Sequence, residues 1–279
     1  MLKKQVLIAG TNDLATAAAI RLFRSGFSVT LLSIEQPFDM HHSRNYSGAV
    51  YAGEKEIENI TAITIARALE KGDCQPDTSV SDFIRFSQAN RKIPVMFGDG
   101  LKQCSDILFD YLFACEQDVY ELVDDRLKDQ VVIMSLAGSD CLEQARYQIC
   151  NDLVYTGRVI YPFNKDEMVE CMPGVPQVSG TNAVKAPLEG VFSTIHNVDG
   201  LIHEKQELAK INNIPILSPF SGKISGLLNS GIIIQAGTLF AEIASASDPR
   251  PAKALPATSI SVAGGVLEAI LFDINLEKS

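Results

Sequence analysis

The clearest pattern of apolar and polar positions lies at the start of the chain. Residues 5–9 read Gln-Val-Leu-Ile-Ala, a short β-branched apolar run typical of a strand that is buried on both faces. Residues 13–25 then place apolar side chains at helical spacing, with an acid at the start, arginines in the last turn and a glycine just beyond. Residues 27–32 form a second apolar run. Together these segments predict a βαβ unit, the opening of a Rossmann-like parallel sheet.

Further along, the pattern is weaker but still indicates alternating elements. It predicts strands over residues 60–68, 93–97, 107–109 and 130–136. It also predicts a short helix over residues 81–91, capped by Ser79 or Ser81. We therefore expect a Rossmann-like α/β domain over residues 1–160.

The composition changes after this region. Residues 161–184 contain several prolines and glycines among polar residues and are predicted to be a linker. From residue 185 the helical periodicity disappears, and short apolar stretches alternate with glycine and proline turns, as in an all-β unit. The chain as a whole is therefore predicted to be α/β, with an all-β domain over residues 185–279.

The second domain contains an internal repeat. Residues 186–192 return as 218–224, and residues 208–211 return as 240–243, both at an offset of 32. Residues 199–202 pair with 230–233, one position out of step. Two similar halves that must share one core predict a barrel-sandwich hybrid of the biotinyl/lipoyl-like type. The C-terminal segment, residues 261–272, is predicted to be a glycine turn entering a short apolar helix or strand that packs on one of the two domains.

Composition and charge narrow the classes of partner. Apolar residues make up 46% of the chain, which excludes disorder as the dominant state. With 24 basic and 34 acidic residues the net charge is −10, which repels phosphate backbones and anionic lipid heads. We therefore expect no nucleic-acid partner and no membrane partner. The apolar runs are far shorter than the roughly 20 residues of a spanning helix, and no signal-peptide pattern is present, so we expect a cytoplasmic protein.

Several common chemistries lack a motif. The six cysteines show no C-x-x-C pair and no histidine at ligand spacing, so no metal site is predicted and free thiols are expected. The chain contains no G-x-S-x-G elbow, no H-E-x-x-H and no Walker lysine. Ordinary hydrolase and NTPase functions are therefore unsupported.

The strand-to-helix turn after residue 9 is the main candidate site. Gly10-Thr11-Asn12-Asp13-Leu14-Ala15 lies where a dinucleotide-binding G-x-G-x-x-G/A turn belongs, but Asn12 replaces the middle glycine that lets backbone approach a pyrophosphate. Asp13 adds negative charge where an anion would bind. The turn is either a nucleotide or cofactor site or a tight turn with Asp13 serving the helix dipole, and the residues favour the second interpretation.

Two further positions are candidates. Glu35 follows the second strand near the place of a ribose-binding acid, about 20 residues after the turn, although Ser33 fits that register equally well. His41, with His42, could form the polar rim of a pocket at the end of the second strand, where open α/β sheets bind ligands. An exposed loop is the competing interpretation of the two histidines.

The order of motifs resembles one protein family over nearly the whole chain. The strings that carry the resemblance are Arg-Ser-Gly-Phe at 24–27, Ser-Gly-Ala-Val-Tyr at 47–51, Asp-Pro-Arg at 248–250 and Gly-Gly-Val-Leu-Glu-Ala-Ile-Leu at 264–271. They are similar to the YqeB-type accessory proteins linked to selenium-dependent molybdenum hydroxylases. Similar proteins carry glycine at Asn12, arginine at His41 and a Gly-Pro-Gly-Phe turn at residues 136–139. The candidate cofactor-binding residues are then Gly10, Asn12, Asp13, Glu35, His41 and Gly138.

The resemblance implies an accessory or maturation protein for a molybdenum hydroxylase, handling its cofactor through a degenerate nucleotide or cofactor pocket. Because glycines and bases are replaced together, such a pocket would hold molybdopterin or a nucleotide weakly. The implied partner is the hydroxylase, and a homo-oligomer is left open. The alternatives are an NAD(P)-dependent oxidoreductase, or a structural adaptor that kept the fold and lost the pocket. No catalytic residue is assigned.

Overall fold

The chain folds into two compact units in the computed structural model. The structure describes residues 3–33, 37–104, 106–115, 130–137, 145–152, 154–163 and 182–277. Unit 1 comprises residues 1–37, 46–176 and 255–279, and unit 2 comprises residues 38–45 and 177–254. Both units are therefore built from segments that are not continuous in sequence.

Unit 1 contains a large, mainly parallel sheet. Its nine described strands are β1 (Gln5–Ala9), β2 (Ser28–Ser33), β3 (Glu54–Ile57), β4 (Ile60–Thr64), β5 (Ile93–Phe97), β6 (Tyr111–Ala114), β7 (Val132–Leu136), β8 (Tyr147–Ile149) and β9 (Val159–Ile160). Their order is β3-β4-β5-β2-β1-β6-β7-β8-β9. The seven inner strands, from β4 to β8 in this order across the sheet, are parallel to one another. The edge strands β3 and β9 are antiparallel to their neighbours. The fold is thus mixed α/β, with β1 at the centre of the sheet.

Unit 1 also contains helices. The described helices are α1 (Asp13–Arg24), α2 (Ser47–Ala52), α3 (Ile65–Glu70), α4 (Val80–Ala89) and α5 (Ala257–Leu276), with a 3₁₀ turn over Gly98–Gln103. The predicted βαβ opening is confirmed as β1, α1 and β2. The cap predicted for the helix near residues 81–91, which is α4, is confirmed at Ser79, whose hydroxyl accepts a hydrogen bond from the backbone N–H of Asp82 at 3.1 Å.

Two predicted strands are wrong in part. Residues 60–68 form β4 and then α3, because the Thr64 hydroxyl accepts from the Arg67 backbone N–H at 3.4 Å and starts a helix there. Residues 107–109 form no strand, and β6 begins only at Tyr111. Ile107 and Phe109 are nevertheless buried, so their apolar character reflects core packing of a loop. A short apolar run reports burial more reliably than it reports a strand.

The C-terminal helix α5 groups with unit 1, whereas the sequence placed it in the second domain. It packs along α1, and its buried face follows helical spacing through Val262, Val266, Ala269 and Ile270. The alanines of α1 are buried in the same core. An apolar helix needs such a partner face, and α1 provides one inside unit 1.

Helix α5 is also the one described helix long and apolar enough to cross a membrane by length and composition. Its uninterrupted apolar runs are short, as predicted from the sequence, and the helix reaches that length only when its 20 residues are taken together. Several of its residues are buried in unit 1, and its Asp273 side chain is 2% exposed. Burial of this kind is typical of a core helix. The cytoplasmic location stays a prediction.

Unit 2 contains two antiparallel sheets. Its described strands are β10 (Asn182–Lys185), β11 (Gly190–Ser193), β12 (Leu201–Ile202), β13 (Glu207–Ile211), β14 (Ile214–Leu217), β15 (Gly222–Leu227), β16 (Ile233–Ile234) and β17 (Leu239–Ala244). One sheet has the order β10-β17-β15-β12 and the other β14-β13-β11-β16. The Phe192 and Phe240 rings, one from each sheet, are fully buried with centroids 5.3 Å apart.

The internal repeat is confirmed strand by strand in the described part of unit 2. Each of β10 to β13 begins 32 residues before its counterpart among β14 to β17. The register taken for the third pair was wrong by one, because Leu201–Ile202 correspond to Ile233–Ile234 at the same offset of 32. Each sheet combines two strands from each half. Neither half can therefore complete a sheet alone.

Equivalent glycines stand at the starts of β11 and β15. A Cβ at Gly190, where φ is +149°, would overlap the Asn212 side chain, and a Cβ at Gly222 would overlap the carbonyl oxygen of Ala244. Asn212 and Ala244 are themselves 32 residues apart. The repeat therefore preserves a close approach between the start of one strand and the end of its neighbour.

Two other sequence predictions meet the described residues only in part. The predicted linker, residues 161–184, lies outside them from 164 to 181, and its last residues already belong to β10. Cys74 and Cys104 are free thiols, as expected. Cys150 is disulfide-bonded, so the expectation of free thiols is wrong at that position.

Candidate functional site

The first candidate site is the turn between β1 and α1, at the centre of the parallel sheet. Strand β1 lies between β2 and β6, so the chain leaves β1 toward one side of the sheet and later returns to its other side. In open α/β sheets the carboxyl end of such a strand is where ligands bind. Gly10, Asn12 and Asp13 are brought together there, at the start of α1.

The turn is tight because of its glycine and its cap. Gly10 has φ +128°, a conformation that favours glycine, and its backbone N–H donates to the carbonyl oxygen of Leu32 at 2.8 Å. Asn12 is the N-cap of α1, and its side-chain Oδ1 accepts from the backbone N–H groups of Leu14 and Ala15, both at 3.1 Å. The carboxamide thus bonds the helix donors that an anion would use.

The beginning of α2 covers the same turn. The Ser47 backbone N–H donates to the Thr11 carbonyl oxygen at 3.0 Å, and the Thr16 hydroxyl donates to that oxygen at 3.2 Å. The Tyr46 backbone N–H in turn donates to the Thr16 hydroxyl oxygen at 2.9 Å. Thr11, Thr16, Tyr46 and Ser47 are all buried. Residues 46 and 47 therefore lie directly against the turn.

Tyr46 fixes this cover. Its phenol donates to the Ile60 carbonyl oxygen at 3.1 Å, and the side chain is fully buried. Burial, with a smaller effect from Glu58, raises the pKa of Tyr46 well above its usual value. A neutral phenol locked between β4 and the turn is a structural anchor and not an acid or base at neutral pH.

Asp13 strengthens the electrostatic case against a phosphate. It lies in the first turn of α1, where a carboxylate interacts favourably with the helix dipole. The turn therefore presents a carboxylate, and two of its helix donors are already bonded to Asn12. This geometry matches the tight-turn interpretation of the motif.

His41 belongs to unit 2, whereas the turn between β1 and α1 belongs to unit 1. Its Nε2 donates to Glu242 Oε2 at 3.2 Å, and its Nδ1 lies 3.9 Å from Asp39 Oδ1. The hydrogen bond from His41 lowers the pKa of Glu242, and Arg44 adds a smaller effect in the same direction. The histidine thus joins residues 38–45 to β17.

The same segment is held to β15 by its backbone. The Met40 carbonyl oxygen accepts from the Leu227 backbone N–H at 2.8 Å. A Cβ at Gly226 would lie 3.1 Å from His41 Nε2, so glycine leaves room for the ring. His41 therefore has a structural partner within unit 2 that the sequence did not indicate. Glu35 and Gly138, the remaining candidates, lie outside the described residues.

A buried polar cluster in unit 1 was missed by the sequence. Asp273 on α5 accepts from the Tyr147 hydroxyl at 2.7 Å and from the Tyr111 hydroxyl at 3.2 Å, and its Oδ1 lies 3.4 Å from Arg146 Nε. Burial and the hydrogen bond to Asp273 raise the pKa of Tyr147 to about 12. An acid on the apolar, buried face of a helix was the signal that could have indicated this cluster.

The comparisons with known proteins give one distant similarity to discuss. The chain is similar to the uncharacterized protein YqeB of Escherichia coli (strain K12), with 27% identity over 282 residues that cover 95% of this chain and 47% of that protein. The chain thus spans about half the length of the relative it matches. No protein-family model matches the chain, and no solved structure matches it. The resemblance to YqeB-type proteins is supported as a sequence similarity, and it carries no activity, since that relative is uncharacterized.

Proposed function

We propose that this chain is a non-catalytic accessory protein whose first strand-to-helix turn does not bind a dinucleotide. The observation that carries the proposal is the Asn12 carboxamide bonded to the Leu14 and Ala15 backbone N–H groups. In dinucleotide-binding proteins these donors face the pyrophosphate, and a glycine at this position lets it approach. The NAD(P)-dependent oxidoreductase alternative is disfavoured on the same ground.

We also propose a specific fold for each unit. Strand order β5-β2-β1-β6-β7-β8, with all six parallel, supports a Rossmann-like sheet for unit 1. The 32-residue repeat, with two strands of each half in both sheets, supports a barrel-sandwich hybrid for unit 2. The accessory role toward a molybdenum hydroxylase rests on the motif resemblance, and the sequence similarity to YqeB supports that resemblance without adding an activity.

Titration of the protein with NADH, NADPH and ADP tests the turn. We expect no fluorescence change or thermal shift at millimolar ligand. N12G should lose only a few tenths of a kcal/mol, because glycine is a tolerated cap, and it should gain weak ADP binding as the Leu14 and Ala15 donors become available. N12D keeps a cap and adds charge, so it should remain non-binding. Tight NADH binding by the unaltered protein would reject the proposal.

A second experiment separates the accessory role from a purely structural one. The tagged protein is mixed with a molybdenum hydroxylase lacking its cofactor, and with molybdopterin alone. Copurification with the hydroxylase supports the accessory role, and a thermal shift with molybdopterin supports cofactor handling. Association without any cofactor binding would favour the structural adaptor over a cofactor-handling protein. The buried Thr11 and the covered turn support that alternative. Absence of both results would remove the maturation role.

A further inference from the structure

Unit 1 contains a cavity of about 480 Å³ at the carboxyl ends of β4 and β5. Thr64 and Val95 are paired neighbours at these strand ends, and both line the cavity. Helices α2, α3 and α4 and the 3₁₀ turn supply further walls, through residues such as Val50, Ile65, Val80 and Gly100. A volume of this size is in the range of small-molecule sites, and the carboxyl edge of a parallel sheet is where such sites form.

The walls of the cavity are apolar. Among the described residues that line it none is charged, and Thr64 and Gln103 are the ones with polar side chains. Thr64 is already engaged, because its hydroxyl donates to the Gly53 carbonyl oxygen at 3.0 Å and caps α3. Gln103 is exposed at the rim, with an amide able to donate and to accept. Burying an unpaired charge in such surroundings would cost several kcal/mol.

One aromatic side chain on the cavity is incompletely packed. Phe97, the last residue of β5, is 51% exposed, whereas Phe83, which also lines the cavity, is buried. Met96 is buried beside it, and its side chain lies against Gly100, where a Cβ would come within 3.3 Å of the Met96 Cβ. A flat ring placed on Phe97 would cover exposed aromatic surface in a favourable stacked or edge-on geometry.

We propose that this cavity binds an uncharged, planar aromatic or heteroaromatic ring, packed on Phe97 between β5 and α3. The ring enters with its apolar faces against Ile65, Val80 and Met96, and a ring heteroatom reaches the Gln103 amide at the rim. None of the residues at the β1–α1 turn lines the cavity. Ring binding here and the proposed accessory role can therefore fail separately.

The test uses N-phenyl-1-naphthylamine, an uncharged aromatic fluorophore, with the full-length protein. We expect saturable fluorescence enhancement with one site per chain. F97A should weaken binding at least 10-fold. A66W should abolish binding, because Ala66 lines the cavity from the exposed side of α3 and a larger side chain fills it. F38A is the matched control, since Phe38 is also an exposed phenylalanine and does not line the cavity, so its affinity should stay within 2-fold.

F97L separates ring recognition from general apolar binding. Leucine keeps most of the apolar surface and removes the ring, so binding of the aromatic probe should weaken at least 3-fold, while binding of 1-decanol, measured by competition, should not change. Thermal unfolding of each variant checks that the fold is retained. The proposal is overturned if the unaltered protein shows no saturable binding of N-phenyl-1-naphthylamine. It is also overturned if A66W or F97L binds this probe with the affinity of the unaltered protein.

Discussion

At the scale of single residues, two adjacent glycines of α5 have opposite structural roles. A Cβ at Gly265 would overlap the carbonyl oxygen of Gly157 and lie 3.0 Å from Ile149 Cγ2, whereas a Cβ at Gly264 meets only Arg21 Nη1 at 3.5 Å. The first glycine is required by a close backbone approach, and the second is not. In the Gly-Gly pair that carried much of the motif resemblance, packing therefore requires glycine at position 265 and would allow a larger residue at position 264.

This difference predicts opposite effects of one substitution at neighbouring positions. G265A should destabilise unit 1 by about 1–3 kcal/mol, because the backbone around residue 157 must move. G264A should stabilise it by roughly 0.5–1 kcal/mol, because alanine is the better helix former and its Cβ fits. Urea unfolding followed by far-UV circular dichroism measures both. Equal effects of the two substitutions would contradict the close approach of the helix to the Gly157 loop.

The buried carboxylate of α5 gives a second prediction at this scale. D273N should cost about 1–3 kcal/mol of unfolding free energy, because the Tyr147 and Tyr111 hydroxyls lose a charged acceptor and Arg146 loses its counter-charge. D82N is the matched control: Asp82 forms an exposed pair with Arg85, so its change should stay within about 0.5 kcal/mol. The same denaturation experiment compares them, and a neutral D273N would exclude a stabilising role for the cluster.

At the scale of elements, residues 38–45 form a strap on unit 2 that responds to acid. The folded-state pKa of Glu242 is lowered, first by the His41 hydrogen bond, so its contribution to stability is present above the unfolded glutamate pKa of about 4.3 and lost as pH falls further. Other charged groups facing the pair are Asp39 and Arg44. Protonation of Glu242 should therefore loosen the strap below about pH 4. Between pH 5 and 8 we expect no such effect of Glu242.

The comparison of the unaltered protein with E242Q measures this contribution. The stability advantage of the unaltered protein over E242Q should shrink as the pH is lowered from 5 toward 3, because Glu242 becomes protonated in the folded protein. H41F, which keeps a ring and removes the hydrogen-bond donor, should lose the same advantage at pH 7. An advantage that grew as the pH fell from 5 to 3 would show that the sign of the Glu242 shift is wrong.

The elements also show what the sequence could and could not predict. The segment from β1 to β2 was predicted closely because a doubly buried strand, a capped helix and a glycine stop all agree there. The repeat was predictable because Pro-x-x-Gly strings recur at a fixed spacing. The role of Asn12 as a cap was partly predictable from its place before a helix. Glu242 as the partner of His41 was not, because the two are 201 positions apart and no local pattern links them.

At the scale of the whole molecule, the division into units differs from the division of the sequence. The sequence ended the α/β domain at residue 160, but α5, from residues 257–276, completes the core of unit 1 against α1. The small side chains of α1 gave no sign that a second helix would cover them. An amphipathic pattern shows which face is buried and does not identify the partner.

A fragment experiment tests this division. A fragment of residues 1–163 should be aggregation-prone or molten, because the alanine face of α1 and the Asp273 partners Tyr111 and Tyr147 would lack α5. Residues 1–163 joined to 255–279 by a flexible linker should recover a cooperative thermal transition. Far-UV circular dichroism and gel filtration of both fragments, beside the full-length protein, measure the difference. A well-folded 1–163 fragment would contradict the structural role of α5.

The late position of α5 in the chain has a consequence for biosynthesis. Helix α1 leaves the ribosome early, yet the helix that covers it is made about 230 residues later, a delay of roughly tens of seconds at 5–20 residues per second. Unit 2 is also incomplete until β17 is made, since β17 lies between β10 and β15. Both cores thus close only after β17 and α5 have been made. The nascent chain must keep an uncovered alanine-rich helix face soluble until then.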